Sequence, residues 1–358
     1  MHKQMPTILR KTTLCLLLVT MLSSAQAQTL RLGADFTTLF DNKEYATTTF
    51  NSSWTLFSAR LTPKIGMQWA ESNELMFAVD LVQDFGNKTK ILSDVNIQLY
   101  YGYSSPQLRL LAGIFPREEM RGLDSPLFFD RDFLYYHNRI NGVLARYESK
   151  DSKSFAEFAF DYTGIRDMNT REAFMIISAG EYNLRGVRFG YDLMVGHYAK
   201  DDNPETKEGV VDNILAVPHI GYDVKAGGFD INLQLSYIQS LQRDRYYENI
   251  WLHPWGGEFF CAVSRWGVTL SNRLYMHDNL FPLYSRYGKD IYYGTPFYRT
   301  TKGIYDAITA SYNNTFFNKT LDLSAGITME YDGTGWGTRQ WLQVKVNLDY
   351  GILLGRKK

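Results

Sequence analysis

The chain has 358 residues with 38 basic and 38 acidic side chains, and it is rich in Gly (28), Tyr (25) and Phe (22) but carries only 2 Cys. That composition excludes a disulfide scaffold and a disordered chain. The even charge argues against nucleic acid as a partner, since a phosphate binder needs a basic surplus on one face.

Lys3, Arg10 and Lys11 precede an apolar run through Leu16, Leu17, Leu18 and Val19, and Ala25-Gln26-Ala27 then offers small residues to a peptidase. This is the pattern of a cleaved export signal, predicted to end before Gln28. The run is too short for a spanning helix, which needs roughly 20 apolar residues. Residues 1–27 are therefore assigned to the signal and 28–358 to a single domain with a charge of about −3. Cys15 leaves with the signal, so Cys261 is the one remaining thiol and no internal disulfide forms. An exported chain without disulfides needs another source of stability, and a closed hydrogen-bonded barrel is one.

From Thr29 onward the chain alternates apolar and polar residues with a period of two, which places one set on each face of a strand. Thr29–Phe40 opens the series and Thr55–Trp69 follows, with Pro63 expected to cause a bulge or local break because it cannot donate to a ladder. The reading continues through Leu75–Leu81, Asp94–Tyr103, Leu108–Phe115, Ile140–Glu148, Phe155–Tyr162, Phe174–Tyr182, Val187–Tyr198, Ile214–Val224 and Phe229–Ser240. It closes with Glu258–Trp266, Val268–His277, Tyr305–Phe316, Leu321–Tyr331 and Leu342–Ile352. The last two are the clearest: Leu342, Val344, Val346, Leu348, Tyr350 and Ile352 oppose Gln343, Lys345, Asn347, Asp349 and Gly351. A tilted strand crosses a bilayer in roughly 9 to 11 residues, longer than the usual soluble strand of about 5 to 6. The predicted fold is all-β, a transmembrane antiparallel up-and-down barrel of about sixteen strands.

The connections carry a second signal. Ala70–Asn73, Ser104–Gln107, Ser149–Lys153, Asn183–Gly186, Ala226–Gly228, Gly267 and Asn318-Lys319 are short, whereas Lys200–Asp212, Arg243–His253 and Leu280–Gly303 are long. Short turns on one rim and long loops on the other are expected of an outer-membrane barrel, with the turns periplasmic. Trp69, Tyr101, Tyr103, Tyr162, Tyr222, Tyr237, Trp266, Tyr331, Trp341 and Tyr350 fall near strand ends, as aromatic girdles do.

After the fifth strand, Arg117–Asn138 mixes Arg117, Glu118, Glu119, Arg121, Asp124, Asp130, Arg131 and Asp132 with Leu127, Phe128, Phe129, Phe133 and Leu134. Folded inward, its apolar side would pack on the wall while its charges face a water path as a constriction. With this loop in this position the chain resembles the general bacterial outer-membrane porins. That resemblance implies sixteen strands, an infolded third loop, passive diffusion of small hydrophilic solutes, outer-membrane lipid around the barrel and a homotrimer. The chain ends Leu354-Gly355-Arg356-Lys357-Lys358 rather than on an aromatic residue, so the likeness is to a distant lineage.

Pore-wall candidates are Arg60, Lys64, Asp80, Arg109, Arg146 and Asp192, within a wider set in which acidic residues outnumber basic ones and suggest a mild cation preference. The Tyr-rich stretch Leu280–Gly303 reads as a sugar-stacking surface, an external lid or a plug. His137, His197 and His277 come with no nucleophile motif, so no enzymatic activity is expected. Asp332-Gly333-Thr334-Gly335 and Asp201-Asp202 read as turns rather than calcium ligands. No metal and no cofactor is predicted. The alternative to a channel is a narrow or plugged barrel that acts as a binding or assembly component at the cell surface.

Overall fold

In the computed structural model, which describes residues 28–50 and 53–353, sixteen strands form one closed antiparallel ring. The expected signal and the Leu354–Lys358 tail lie outside the described residues. In chain order the strands are β1 (Gln28–Glu44), β2 (Trp54–Trp69), β3 (Asn73–Asp84), β4 (Asp94–Ser104), β5 (Leu108–Pro116), β6 (Arg139–Glu148), β7 (Phe155–Gly164) and β8 (Ala173–Leu184). The ring continues with β9 (Val187–Tyr198), β10 (Val211–Ala226), β11 (Phe229–Asp244), β12 (Trp255–Arg265), β13 (Val268–His277), β14 (Ile304–Phe316), β15 (Leu321–Tyr331) and β16 (Trp336–Leu353). Each strand pairs with its sequence neighbours, and β1 closes on β16 from Thr29↔Leu353 to Glu44↔Thr338. Closure leaves no strand edge unpaired, so backbone polar groups are satisfied around the whole ring.

One rim carries tight turns. Arg185-Gly186, Gly227-Gly228 and Trp266-Gly267 have positive φ at both central residues, the twist that two-residue hairpins need. The opposite rim carries the loops, including 117–138 and 278–303, although 332–335 between β15 and β16 is short.

The alternation sorts as membrane-type strands require. Leu61, Ile65, Phe77, Ile97, Leu235 and Leu270 point outward and are 42–58% exposed, while Ser58, Asp80 and Asp161 point inward and are buried completely. A soluble sandwich would show the reverse.

At Pro63 the expected disturbance is a local break and not a bulge: Pro63 pairs with Ala34, while the β2–β3 ladder is interrupted at Thr62 and Pro63 with its register unshifted from Leu61↔Leu81 to Lys64↔Ala78. Two expectations need correction. Trp341 is not a girdle residue, because its position on β16 turns it inward, where it is buried. The lumen is also not wet all round. On β6 to β11 the inward positions at the loop half of the barrel carry a hydrocarbon cluster of Leu144, Ala159, Met175, Ile177, Met194, Leu215, Val217 and Ile238, set among buried polar groups such as Asp161, Asn213 and Gln242.

Candidate functional site

The hydrocarbon half-wall is covered by two loops. From 117–138, Leu123, Leu127, Phe128 and Phe129 join its cluster, and from 278–303 so do Leu280, Phe281, Leu283, Ile291 and Tyr292, while Phe297 and Tyr298 turn to Tyr45 and to Tyr275 and Tyr305 of β13 and β14. The loops also grip each other. Asp130 N–H donates to the Tyr293 carbonyl at 2.7 Å and Thr295 N–H to the Pro126 carbonyl at 2.8 Å. Phe133 and Tyr293 rings lie 4.7 Å apart. Gly294 passes so close that a Cβ there would collide with the Leu127 carbonyl.

Buried polar groups of the wall fasten the Tyr-rich loop. Tyr287 Oη donates to Asp244 at 2.5 Å, Asn213 to the Ile291 carbonyl at 2.7 Å and Gln242 to the Leu280 carbonyl at 3.0 Å. Tyr298 donates to Glu258, which also pairs with Arg273. A buried polar atom left without a partner costs about 1–3 kcal/mol, so these bonds fix where the loop sits.

In loop 117–138 the chain first makes a single 3-10 turn and later a short helix, α1 (Arg131–Tyr136), which begins where Asp130 accepts from Phe133 N–H at 2.7 Å. Asp130 is thus an N-cap. Arg117 is buried: Nη2 meets Asp161 on β7 at 2.5 Å, Nε donates to the His137 carbonyl at 2.9 Å, and the guanidinium lies 5.0 Å from the Phe129 ring. Glu118 pairs with Lys345 on β16 at 2.5 Å, five strands round the ring from β5. Glu119 takes Arg109 at 3.0 Å, and Arg109 also holds Glu74 at 2.8 Å.

Arg121 turns toward the short-turn rim, where Nη2 donates to the Ser152 carbonyl at 3.0 Å and the guanidinium sits 4.5 Å from the Phe155 ring. The backbone beside it is held instead. Arg121 and Gly122 N–H donate to Glu157, and Leu123 N–H to Asp192 at 3.1 Å. Asp124 lines the cavity, and burial raises its carboxyl above the usual range. Arg131 stacks 4.3 Å over Trp341 and lies 3.6 Å from Asp41; burial and neighbouring Arg339 lower it to about 10. Asp132 pairs with Lys43 and lies 3.5 Å from Arg339.

Among the wall candidates, Arg60 donates to the Tyr135 carbonyl and Lys64 pairs with Asp35 at 3.0 Å. Asp80 accepts from Thr62 at 2.6 Å, Gln98 at 3.2 Å and Asn138 at 3.1 Å. Arg146 lies 2.8 Å from Glu148 and 3.7 Å from Glu157.

A cavity of about 820 Å³ remains between these loops and the strands on the other side of the ring. It brings together Arg60, Lys64, Asp80, Arg117, Glu118, Glu119, Asp124, Asp130 and Arg131 from the sequence-based set, but not Arg109, Arg121, Asp132, Arg146 or Asp192. Its charged lining is even, with seven acidic and seven basic residues, so the acidic excess counted along the strands does not carry into it. Sequence reasoning missed Arg273, Arg339 and the Trp341 platform, all of which line it, whereas Glu330, in the wider set of wall candidates, does line it. Their signal was present in the strand parity, since Arg339 and Trp341 share the face of Gln343 and Lys345.

At the loop rim, Asp332 accepts from Thr49 N–H at 2.6 Å, Thr334 N–H at 2.9 Å and Gly335 N–H at 3.0 Å. Burial raises its carboxyl, but those donors outweigh burial and pull it down to about 2. Its partners are all donors, the arrangement of a turn rather than of a cation site. Asp201 likewise accepts from Asn203 N–H at 3.1 Å, and Asp202 pairs with Arg166 at 2.6 Å.

The three histidines singled out earlier stack on rings: His137 on Phe133 at 4.7 Å, His197 on Phe174 at 4.7 Å and His277 on Trp255 at 3.8 Å. His277 Nδ1 also lies 3.0 Å from Asp278.

A family model described as lipid A 3'-O-deacylase-type matches residues 22–195, a little under half of the chain. No curated protein sequence matches. Among solved structures, the outer membrane protein OpdK from Pseudomonas aeruginosa is 9% identical with a TM-score of 0.53, over 90% of this chain and 99% of that one. OccK9 (OpdG) of the same organism is 8% identical with a TM-score of 0.54, over 90% and 98% of the two chains. An anion-selective porin from Comamonas acidovorans is 11% identical with a TM-score of 0.50, over 90% and 99%. At these identities the likeness is one of fold: the chain has the sixteen-strand barrel of these porins.

Proposed function

We propose that the protein is an outer-membrane channel for passive diffusion of small hydrophilic solutes, narrowed by loop 117–138. The observation that carries the reading is the sign of the two surfaces. The ring is apolar toward the outside, where lipid would sit, and encloses a charged cavity of about 820 Å³. Fixed charges of both signs in a water-filled constriction sort solutes by charge and size. Glu118 with Lys345 and Asp35 with Lys64 are the pairs nearest that role. The even lining supports weak charge selection rather than a cation preference. A homotrimer, implied by the porin resemblance, belongs to the same reading and would be read from chemical cross-linking in detergent.

Reconstitution in a planar lipid bilayer tests the channel directly. Stable ohmic steps are the expected result; silence from correctly folded protein would overturn it and favour the plugged barrel that binds or assembles at the surface. A second reading, acyl-ester hydrolysis on a lipid, draws on the family match over residues 22–195. His137 is the one histidine in that segment, and its ring is engaged with Phe133. The channel reading expects no acyl release from lipid A by the purified barrel. Release that disappears in His137→Ala would establish the hydrolase instead.

A further inference from the structure

We infer that loops 117–138 and 278–303 are a permanent filling of one half of the barrel rather than a movable gate, so that any solute path follows the polar crescent bounded by β1–β4 and β12–β16. The second clause rests on the channel reading; the first does not.

A gate must have somewhere to go and must leave behind a surface that water tolerates. Behind these loops lie Leu144, Met175, Ile177, Met194, Leu215 and Ile238, at most 1% exposed. Swinging the loops outward would wet those side chains and the loops' own Leu127, Phe128 and Phe281 together, a loss proportional to the apolar area uncovered. It would also strand polar atoms, because Asn213, Gln242 and Asp244 on the wall have their partners in loop 278–303. Neither loop can leave alone. The bonds from Asp130 to Tyr293 and from Thr295 to Pro126 join them, and Gly294 lies flush against Leu127.

The crescent is built differently. Toward the cavity it presents Thr37, Thr62, Gln98, Ser271, Thr309 and Thr328, side chains that water wets without penalty, beside the apolar Leu39, Met76 and Ala307. The two kinds of wall also explain why the charges divide as they do: Glu157 and Asp192 hold the backbone of the filling, whereas Lys64 and Lys345 stand at the cavity.

Thiol accessibility decides the matter. In a Cys15→Ala, Cys261→Ala background, single cysteines are placed in the crescent (Ser271→Cys, Thr309→Cys) and behind the filling (Ser240→Cys, Met194→Cys), and the folded full-length protein is treated with a charged, membrane-impermeant thiol reagent. Ser240 is completely buried and near-isosteric with cysteine, so it reads the filled half even if Met194→Cys misfolds. The crescent cysteines should react readily. Those behind the loops should react at least about 100-fold more slowly, as sites that open only by sub-global unfolding do. Equal rates at the four positions would overturn the inference, since the loops would then be leaving the wall. In a bilayer, modification at 271 or 309 should lower single-channel conductance. A wild-type protein that never conducts would end the channel reading, and the labelling contrast would still decide the filling.

Discussion

The two halves of this barrel use the same strand pairing and opposite interior chemistry. Over β6 to β11 the inward face holds a hydrocarbon cluster covered by loop side chains, and its buried polar groups are anchors, as in the Arg117–Asp161 pair. Over β1 to β4 and β12 to β16 the inward face mixes polar and charged groups with apolar ones such as Leu39, Met76 and Tyr305 and borders the cavity, and its ion pairs run from the buried Asp41–Arg339 to the partly exposed Glu118–Lys345. A ring of hydrogen bonds evidently does not dictate what fills it. The filled half is a core in the ordinary sense, while the other half keeps space at the cost of leaving charges in water.

That contrast can be broken most forcefully at the anchors. Asp161→Ala should leave the Arg117 guanidinium buried and unpaired, a loss of about 3–5 kcal/mol read as a lower urea midpoint for the folded barrel in detergent. An effect below about 1 kcal/mol would mean that the filled half is wetter than described. Next comes Leu127→Ala, which removes a 1% exposed side chain from the same half and should cost about 3 kcal/mol. Thr309→Ala, facing the cavity, should change the midpoint by less than about 0.5 kcal/mol.

In the open half the readout is current rather than stability. Lys345→Gln should cost under about 1 kcal/mol, because Glu118 opposite it is 63% exposed, yet should shift the reversal potential toward cations. Glu118→Gln should shift it toward anions. Arg121→Gln, whose side chain points to the turn rim, should leave it unchanged, and a shift there would place the narrow point elsewhere.

The smallest expected effect is on pH. Asp332, which ties loops 45–53 and 332–335 together, has a depressed carboxyl, so its contribution to stability is present above its ordinary value of 3.8 and is lost as pH falls toward about 2. Asp332→Asn should flatten that part of an acid-unfolding curve and leave neutral-pH stability only slightly lower.

The lengths, number and order of the strands were legible in the residues themselves, because a period of two is a property of the backbone that any strand imposes on its side chains. Leu321–Tyr331 and Val187–Tyr198 coincide with the observed strands, and most others differ only by a few residues at their ends. Even the hydrocarbon half left a trace. Met175-Ile176-Ile177, Leu193-Met194-Val195 and Ile214-Leu215-Ala216-Val217 are continuous apolar runs, the mark of a strand covered on both faces.

Which of the loop and wall charges would pair was not legible. Glu118 reaches Lys345, Asp41 reaches Arg339 and Arg117 reaches Asp161 over tens to hundreds of residues, so those meetings exist only once the ring has closed and the loops have turned into it. The amino-acid sequence determined by itself the alternating strands and the two-sided wall, since both follow from local periodicity. Tertiary structure alone decided which half is filled and which is left open, because that choice depends on long-range packing of loop hydrocarbon against inward hydrocarbon.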